Sequence, residues 1–279
     1  MKTTKLWIML ALAIILVVGC TNKTEISKPI EENSKNNLKE KTTNDGPIDL
    51  LQYYSPNQEG RIMVTSNKIT WSDKDVTFIA EKRDATEEEK AESMLRISSM
   101  TVAKGNKNYK IQVNPNPVDI YSLSLSSSNQ YLAVSLYYNF GHKLMLIDLS
   151  NGEYSILNDV LEYEGNGTVE SISANNWSPN GKKLAFSYGK ISESKLAIFD
   201  VEEKIFNYIS LGKDYLGIYR IMWNKDGSYF DYISDFPQES LKLNRYNINE
   251  NTIDFISDIT DDELINLKKI GSTQILMDN

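Results

Sequence analysis

The chain holds one cysteine and one histidine in 279 residues. A single thiol cannot close an internal disulfide, so the fold must be stable through its core alone. A single imidazole argues against the multi-histidine metal lyases. A Ser-His-Asp hydrolase would need that one residue, His142, beside a nucleophile, and the sequence contains no Gly-x-Ser-x-Gly elbow. His142 follows Gly141 in a loop-like stretch and is expected to be an ordinary surface residue. Long apolar runs are also missing: Leu6–Val18, at 13 residues, is too short to cross a bilayer as a helix. Basic residues are in deficit, 30 against 38 acidic, for a net charge of −8. Residues 1–47 carry seven Lys and five Asp or Glu, so the remainder is at −10. An acidic body lacks the clustered cations that nucleic acid or anionic lipid requires, and no nucleic-acid partner is expected.

The short apolar run follows Lys2 and Lys5 and ends in Val17-Val18-Gly19-Cys20. Charge, length and position are those of a secretion signal. The last four residues resemble the bacterial lipobox, in which a small residue precedes a cysteine that carries diacylglycerol and becomes the mature N-terminus. The resemblance implies a signal peptide at 1–19, lipidation of Cys20 and a membrane partner reached through that lipid. Two acyl chains make a stable anchor where one is marginal. Residues 21–47, rich in Lys, Glu, Asn, Thr and Ser, cannot bury enough surface to offset chain entropy and are expected to be a disordered tether with a span of about 25–30 Å. The frequent Lys, Asn, Ile and Ser resemble proteins of AT-rich Gram-positive genomes. That implies the outer face of the cytoplasmic membrane; in a Gram-negative host the domain would be periplasmic.

From about residue 48 the chain repeats itself. Trp177-Ser-Pro-Asn-Gly-Lys-Lys-Leu-Ala-Phe186 is a strand, a turn and a second strand, and Leu125–Val134 and Trp223–Tyr232 follow the same pattern. Leu125, Trp177 and Trp223 correspond, as do Asn129, Gly181 and Gly227, and Leu132, Leu184 and Phe230. A second hairpin follows in each, at Met145–Gly152, Ala197–Lys204 and Arg245–Asn251. A fainter copy begins at Ile69-Thr-Trp-Ser-Asp-Lys-Asp75 and continues through Val76–Ala80 and Ser99–Asn106. Asn-Gly and Asp-Gly supply the positive φ that tight turns need, and alternating apolar residues supply the buried faces. Repeat centres at 71, 125, 177 and 223 mark blades of a β-propeller. The expected fold is all-β, a propeller of four to five four-stranded blades over residues 48–279, with the fifth made by pairing Ile62–Val64 with Gln274–Met277.

The unit at 172–209 is similar to the WD40-like repeat of TolB-type propellers, with weaker copies at 121–157, 218–257 and 69–113. The resemblance implies a scaffold shared by binding proteins, peptidase domains and polysaccharide-degrading enzymes, and no single activity.

Function on such a scaffold is expected where the repeats differ. The turns at Ser-Pro-Asn-Gly are stereotyped, whereas the connections at 81–93, 138–142, 187–194 and 233–240 vary and should share one rim with the links at 158–170 and 211–216. Thr86 and Glu89 have capping-box spacing, which predicts a short helix. Tyr138, Phe140, Tyr163, Tyr188 and Phe236, with Glu162, Glu164 and Asp235, are the candidate contacts for an envelope protein, peptide or glycan. Rings that fold back over strand ends are the alternative. Asp261-Asp262-Glu263 fits the start of a helix over 263–269 better than a cation loop. No metal and no cofactor are expected. The leading expectation is a non-catalytic, lipid-anchored binding module. A glycan lyase or hydrolase using rim carboxylates and tyrosines, or a structural assembly subunit, are its rivals.

Overall fold

The computed structural model describes residues 52–56, 60–91, 93–190, 193–211, 217–235, 240–268, 270 and 274–275. All belong to one unit, Pro47–Asn279. The chain is a four-bladed β-propeller whose blades are consecutive antiparallel meanders. Blade 1 is β1 (Arg61–Val64), β2 (Lys68–Asp73), β3 (Val76–Asp84), β4 (Leu95–Lys104) and β5 (Lys107–Ile111). Blade 2 is β6 (Asp119–Leu125), β7 (Tyr131–Tyr138), β8 (Gly141–Asp148) and β9 (Tyr154–Ile156), followed by helix α1 (Leu157–Tyr163). Blade 3 is β10 (Ser171–Trp177), β11 (Lys183–Lys190), β12 (Glu193–Asp200) and β13 (Ile205–Ile209). Blade 4 is β14 (Ile218–Trp223), β15 (Tyr229–Ser234), β16 (Leu241–Asn247) and β17 (Thr252–Ile259), with α2 (Asp261–Leu267) and β18 (Gln274–Ile275) behind it.

The repeats superpose in register. Trp71 faces Phe78, Leu125 faces Leu132, Trp177 faces Leu184 and Trp223 faces Phe230, each pair seven residues apart and fully buried. The intervening turns are alike in hydrogen bonding. Carbonyls of Ser126, Ser178 and Asn224 accept from the amides of Asn129, Gly181 and Gly227 at 2.8, 2.8 and 3.2 Å. The side chains of Ser126, Ser178 and Asn224 then accept from Tyr131, Lys183 and Tyr229. Gly181 has φ +69°, and a Cβ there would lie 2.5 Å from the Ser128 amide nitrogen, so only glycine allows the turns of blades 2 and 3 to touch.

Tryptophan ties blades 3 and 4 each to the blade before. Trp177 Nε1 donates to the Ser124 carbonyl at 3.1 Å, and Trp223 Nε1 donates to the Asn176 carbonyl at 3.0 Å. The acceptor in both cases is the residue before the corresponding aromatic or leucine of the preceding blade. The first blade has no predecessor in sequence, and the N-terminal segment takes that place. Tyr54 bridges Asn224 of blade 4, Ser55 donates its amide to the Trp223 carbonyl at 2.9 Å, and the Tyr54 hydroxyl donates to buried Asp231 at 2.6 Å. Six residues later Gly60 lies against the Trp71 indole of blade 1, where a Cβ would fall 2.3 Å from Nε1. Six residues span at most about 20 Å, so this segment links blade 4 to blade 1 over a short distance.

The expected fifth blade does not form. β1 folds back on β2 through a tight turn closed by Thr65 N to Lys68 O at 2.8 Å, while β18 pairs with β6 in blade 2. The tail leaves α2 beside blade 4, bridges Pro56 at Ile270 and reaches blade 2 at Gln274. Arg220 holds it by donating to the carbonyls of Lys268 and Ile270. α2 begins at Asp261, two residues before the expected start, because Thr260 rather than Asp262 is the cap, in a full capping box with Glu263. The helix expected near Thr86 is a turn: Glu89 accepts from the Thr86 amide but spends its carboxylate on Arg83, at 2.7 and 2.9 Å.

Candidate binding site

The structure divides the aromatic rim residues. Tyr138 is 2% exposed and Tyr188 4%, so these two fold back into the blades and are not available as contacts. Their positions in β7 and β11 explain it, because each strand runs further than the repeat implied and carries its last ring inward. The Tyr138 hydroxyl donates to the Pro115 carbonyl at 3.1 Å, and burial pushes its pKa up to about 12. The Tyr188 hydroxyl donates to Asn166 Oδ1 at 3.2 Å. Phe140, stacked on Tyr138 at 5.3 Å, is 61% exposed, and Tyr163, the last residue of α1, is 93% exposed. Asp235 is exposed and its amide donates to the Gly217 carbonyl at 3.0 Å. Cys20 and Phe236 lie outside the described residues.

His142 is half-buried, not a free surface residue. Its ring lies 4.5 Å from Tyr121 and 5.4 Å from Tyr137, and desolvation lowers its pKa. Ser171 Oγ accepts from the His142 amide at 3.2 Å and stands 3.5 Å from Nδ1. The serine oxygen thus serves the backbone, and the ring's flanking groups are tyrosines where a hydrolase would place an orienting carboxylate. Among the described residues the carboxylates with shifted pKa are Asp75, Glu89, Asp226 and Glu263. All four are lowered: Asp75 by a hydrogen bond from Asn129 in the turn of blade 2, Asp226 by bonds within its own turn, Glu263 by a helix cap and Glu89 by its pairing with Arg83.

The concave feature that the structure does offer is a groove of about 220 Å³ between blades 2 and 3, at their outer strands. Its origin is the alternation of blade 3. Phe186 and Tyr188 of β11, Phe199 of β12, and Phe206 and Tyr208 of β13 point to the face that meets blade 2. Phe199 and Phe206 are direct cross-strand partners with rings 4.6 Å apart, and Phe206 stacks on Tyr208 at 5.9 Å and 13°. Opposite stand Leu157 and Val160 of α1, Leu146 of β8, and Tyr131 and Tyr154. The helix sits in a link expected to be loop, wedged between the blades and pinned by buried Asn158. That side chain accepts from the Leu144 amide and donates to the carbonyls of His142 and Val169.

One end of the groove reaches the turn face, where Asp148, Glu153 and Lys204 line it. Burial raises the pKa of the Tyr131 phenol there, and the charges of Asp148, Glu202 and Asp200 raise it further. At the rim end the aromatic row terminates at Tyr208, whose hydroxyl donates to Glu164 at 2.5 Å beside Asn166. Burial, followed by this hydrogen bond, pushes Tyr208 up to about 12. Of the groove residues, Leu146 and Phe199 fall within the repeated second hairpins. The cavity was not legible, since its lining joins α1 and β7–β9 of blade 2 with β12 and β13 of blade 3. At about 220 Å³ it is smaller than a typical drug-sized site and suits one ring or one side chain.

No protein-family model matches the chain, and no curated sequence matches it. Solved structures do. TolB from Acinetobacter baumannii is 14% identical over 71% of this chain and 56% of its own, with a TM-score of 0.39. A TolB-type protein from Agrobacterium tumefaciens is 10% identical over 74% of this chain and 81% of its own, also at 0.39. A prolyl endopeptidase is 9% identical over 73% of this chain and 30% of its own, at 0.42. Similarity at this level transfers neither ligand nor activity.

Proposed function

We propose that this chain is a non-catalytic, extracytoplasmic lipoprotein whose propeller binds an envelope protein, peptide or glycan in the groove between blades 2 and 3. The aromatic groove carries this reading: it is a concave surface with Phe199, Phe206, Tyr131 and Tyr154 converging on it and carboxylates at its mouth. Phe140 and Tyr163 are exposed aromatics on the rim of blade 2 and at the end of α1. Aromatic anchors ringed by polar groups are the composition of recognition surfaces. The lipobox-like run ending in Cys20 supports the anchor.

Two experiments test it. The full-length chain, with and without Val160→Phe to fill the groove, is used to retain binders from detergent-solubilised envelope. Loss of a retained component in the folded variant is expected, and equal retention overturns the groove as the binding surface. Separately, Cys20→Ser should move the chain from the membrane fraction to the soluble or uncleaved precursor fraction. Unchanged fractionation and processing would rule out the lipid anchor.

A further inference from the structure

Three properties of the groove favour one kind of occupant. Its walls are planar rings, Phe199, Phe206, Tyr131 and Tyr154, whose faces attract cations. Its mouth carries two carboxylates, Asp148 and Glu153, against one cation, Lys204. Just outside, Lys182 is paired with Glu202 at 2.9 Å, while Asp200 gives one oxygen to the amides of Glu202 and Glu203 at 3.1 Å. The lining of the mouth thus carries one carboxylate more than cations, and the neighbouring Lys104 and Lys107 spend their ammonium groups on the carbonyls of Asn129 and Ser150.

The molecule already contains the matching arrangement. In blade 4 the Arg245 guanidinium lies 3.6 Å over the Tyr229 ring and grips Asp231 with two hydrogen bonds, at 2.8 and 3.0 Å. Ring face and carboxylate together select the planar, two-pronged cation over a compact ammonium. The groove presents the same two elements with no arginine of the chain among its lining residues. A shallow hollow of about 630 Å³ continues from Tyr131 and Asp148 across the turn face, lined by Asn106, Gln130 and Ser150 and by the charged Asp75, Lys104 and Lys107, and offers room for the main chain on either side of an inserted residue.

Resting on the groove reading above, we infer that the groove between blades 2 and 3 receives an arginine side chain of a peptide segment. Its stem packs between Phe199, Phe206 and Leu157 and its guanidinium lies at Asp148 and Glu153.

The test titrates the full-length chain in detergent micelles, by NMR of the aromatic resonances, with acetyl-Gly-Arg-Gly-amide. The isosteric citrulline peptide and an N-acetylglucosamine tetrasaccharide are run beside it. The arginine peptide should bind saturably with a Kd on the order of 1 mM, as suits one side chain. The citrulline peptide should bind at least about tenfold more weakly, consistent with the roughly 1.4 kcal/mol that corresponds to a tenfold change. Asp148→Asn keeps the oxygen that accepts from the Ser150 amide, so with Glu153→Gln it should fold and lose most of the arginine preference. Equal binding of the arginine and citrulline peptides, or an unchanged preference in this double variant, overturns the arginine assignment. Binding of the tetrasaccharide alone, abolished by Val160→Phe, overturns it while leaving the groove as a binding site. Failure of every probe together with unchanged envelope retention by Val160→Phe overturns both readings.

Discussion

The two faces of blade 3 are built from alternate residues of the same strands and make opposite kinds of contact. Toward blade 4 the strands present Ala174, Ala185, Leu196, Ile198 and Ile209, which pack directly on Ile218, Ile221 and Trp223. Toward blade 2 they present Phe186, Tyr188, Phe199, Phe206 and Tyr208, with α1 inserted. Small and aliphatic side chains let two sheets approach until no space is left between them. Rigid planar rings facing a helix cannot tile the gap, and the remainder is the groove. One seam is closed throughout by direct packing, and the other is packed around Trp177, Leu184 and Phe186 but opens into the groove at its outer strands.

The largest effect should come from the closed seam. Trp223→Ala removes a fully buried indole and its bond to the Asn176 carbonyl, for an expected loss of about 3–5 kcal/mol in urea unfolding. Phe206→Ala, half-buried at the groove, should cost about 1–2 kcal/mol while weakening retention of any groove-bound partner. A reversed order of the two losses would break the distinction between the seams.

The link between blades 4 and 1 runs through the N-terminal segment. Tyr54→Phe deletes the hydroxyl bonded to Asp231 and should cost about 1.5–3 kcal/mol. Burial first, then the Asp231 charge, holds the Tyr54 phenol above its unfolded value near 10. This contribution is complete below pH 10 and is lost as pH rises above it, so the wild type should weaken in alkali more steeply than Tyr54→Phe in paired urea titrations.

A matched pair of enlargements then compares the two faces directly. Ala185→Leu overpacks the closed seam and should cost about 1–3 kcal/mol, whereas Val160→Phe has the groove to occupy and should cost under about 1 kcal/mol. Equal costs in thermal unfolding would mean that the groove does not accommodate a ring.

The smallest effect concerns His142, at the rim of blade 2. Its folded pKa is lowered by desolvation, so as pH falls through about 6.5 the unfolded chain takes up a proton that the folded chain resists, and stability declines. His142→Phe should flatten this decline, measured as the urea midpoint at pH 7.5 and 5.5. A decline of the same size in the variant would assign it to other groups.

Strand-turn-strand units were legible because their signals are local. A positive φ at Asn129, Gly181 and Gly227 and a two-residue alternation place Leu125, Trp177 and Trp223 without reference to the rest of the chain. The rim was legible only in part. Phe140 and Tyr163 are exposed as their loop positions imply, but Tyr138 and Tyr188 are one strand residue too early to clear the sheet. Whether a ring near a strand end points out or in depends on where the strand stops. For Tyr138 and Tyr188 that is set by long cross-strand pairing with β8 and β12.

By itself the sequence determined the blade repeat, the turn chemistry, the acidic body and the absence of crosslinks, each a property of composition or of residues within one hairpin. Tertiary structure alone decided the rest. Tyr54 meets Asp231 across 177 residues, β18 joins blade 2 instead of meeting β1, and α1 packs into the core shared by blades 2 and 3. These are contacts between segments whose own patterns do not refer to each other. They are chosen by what the assembled blades leave uncovered, and so by the packing of the whole ring.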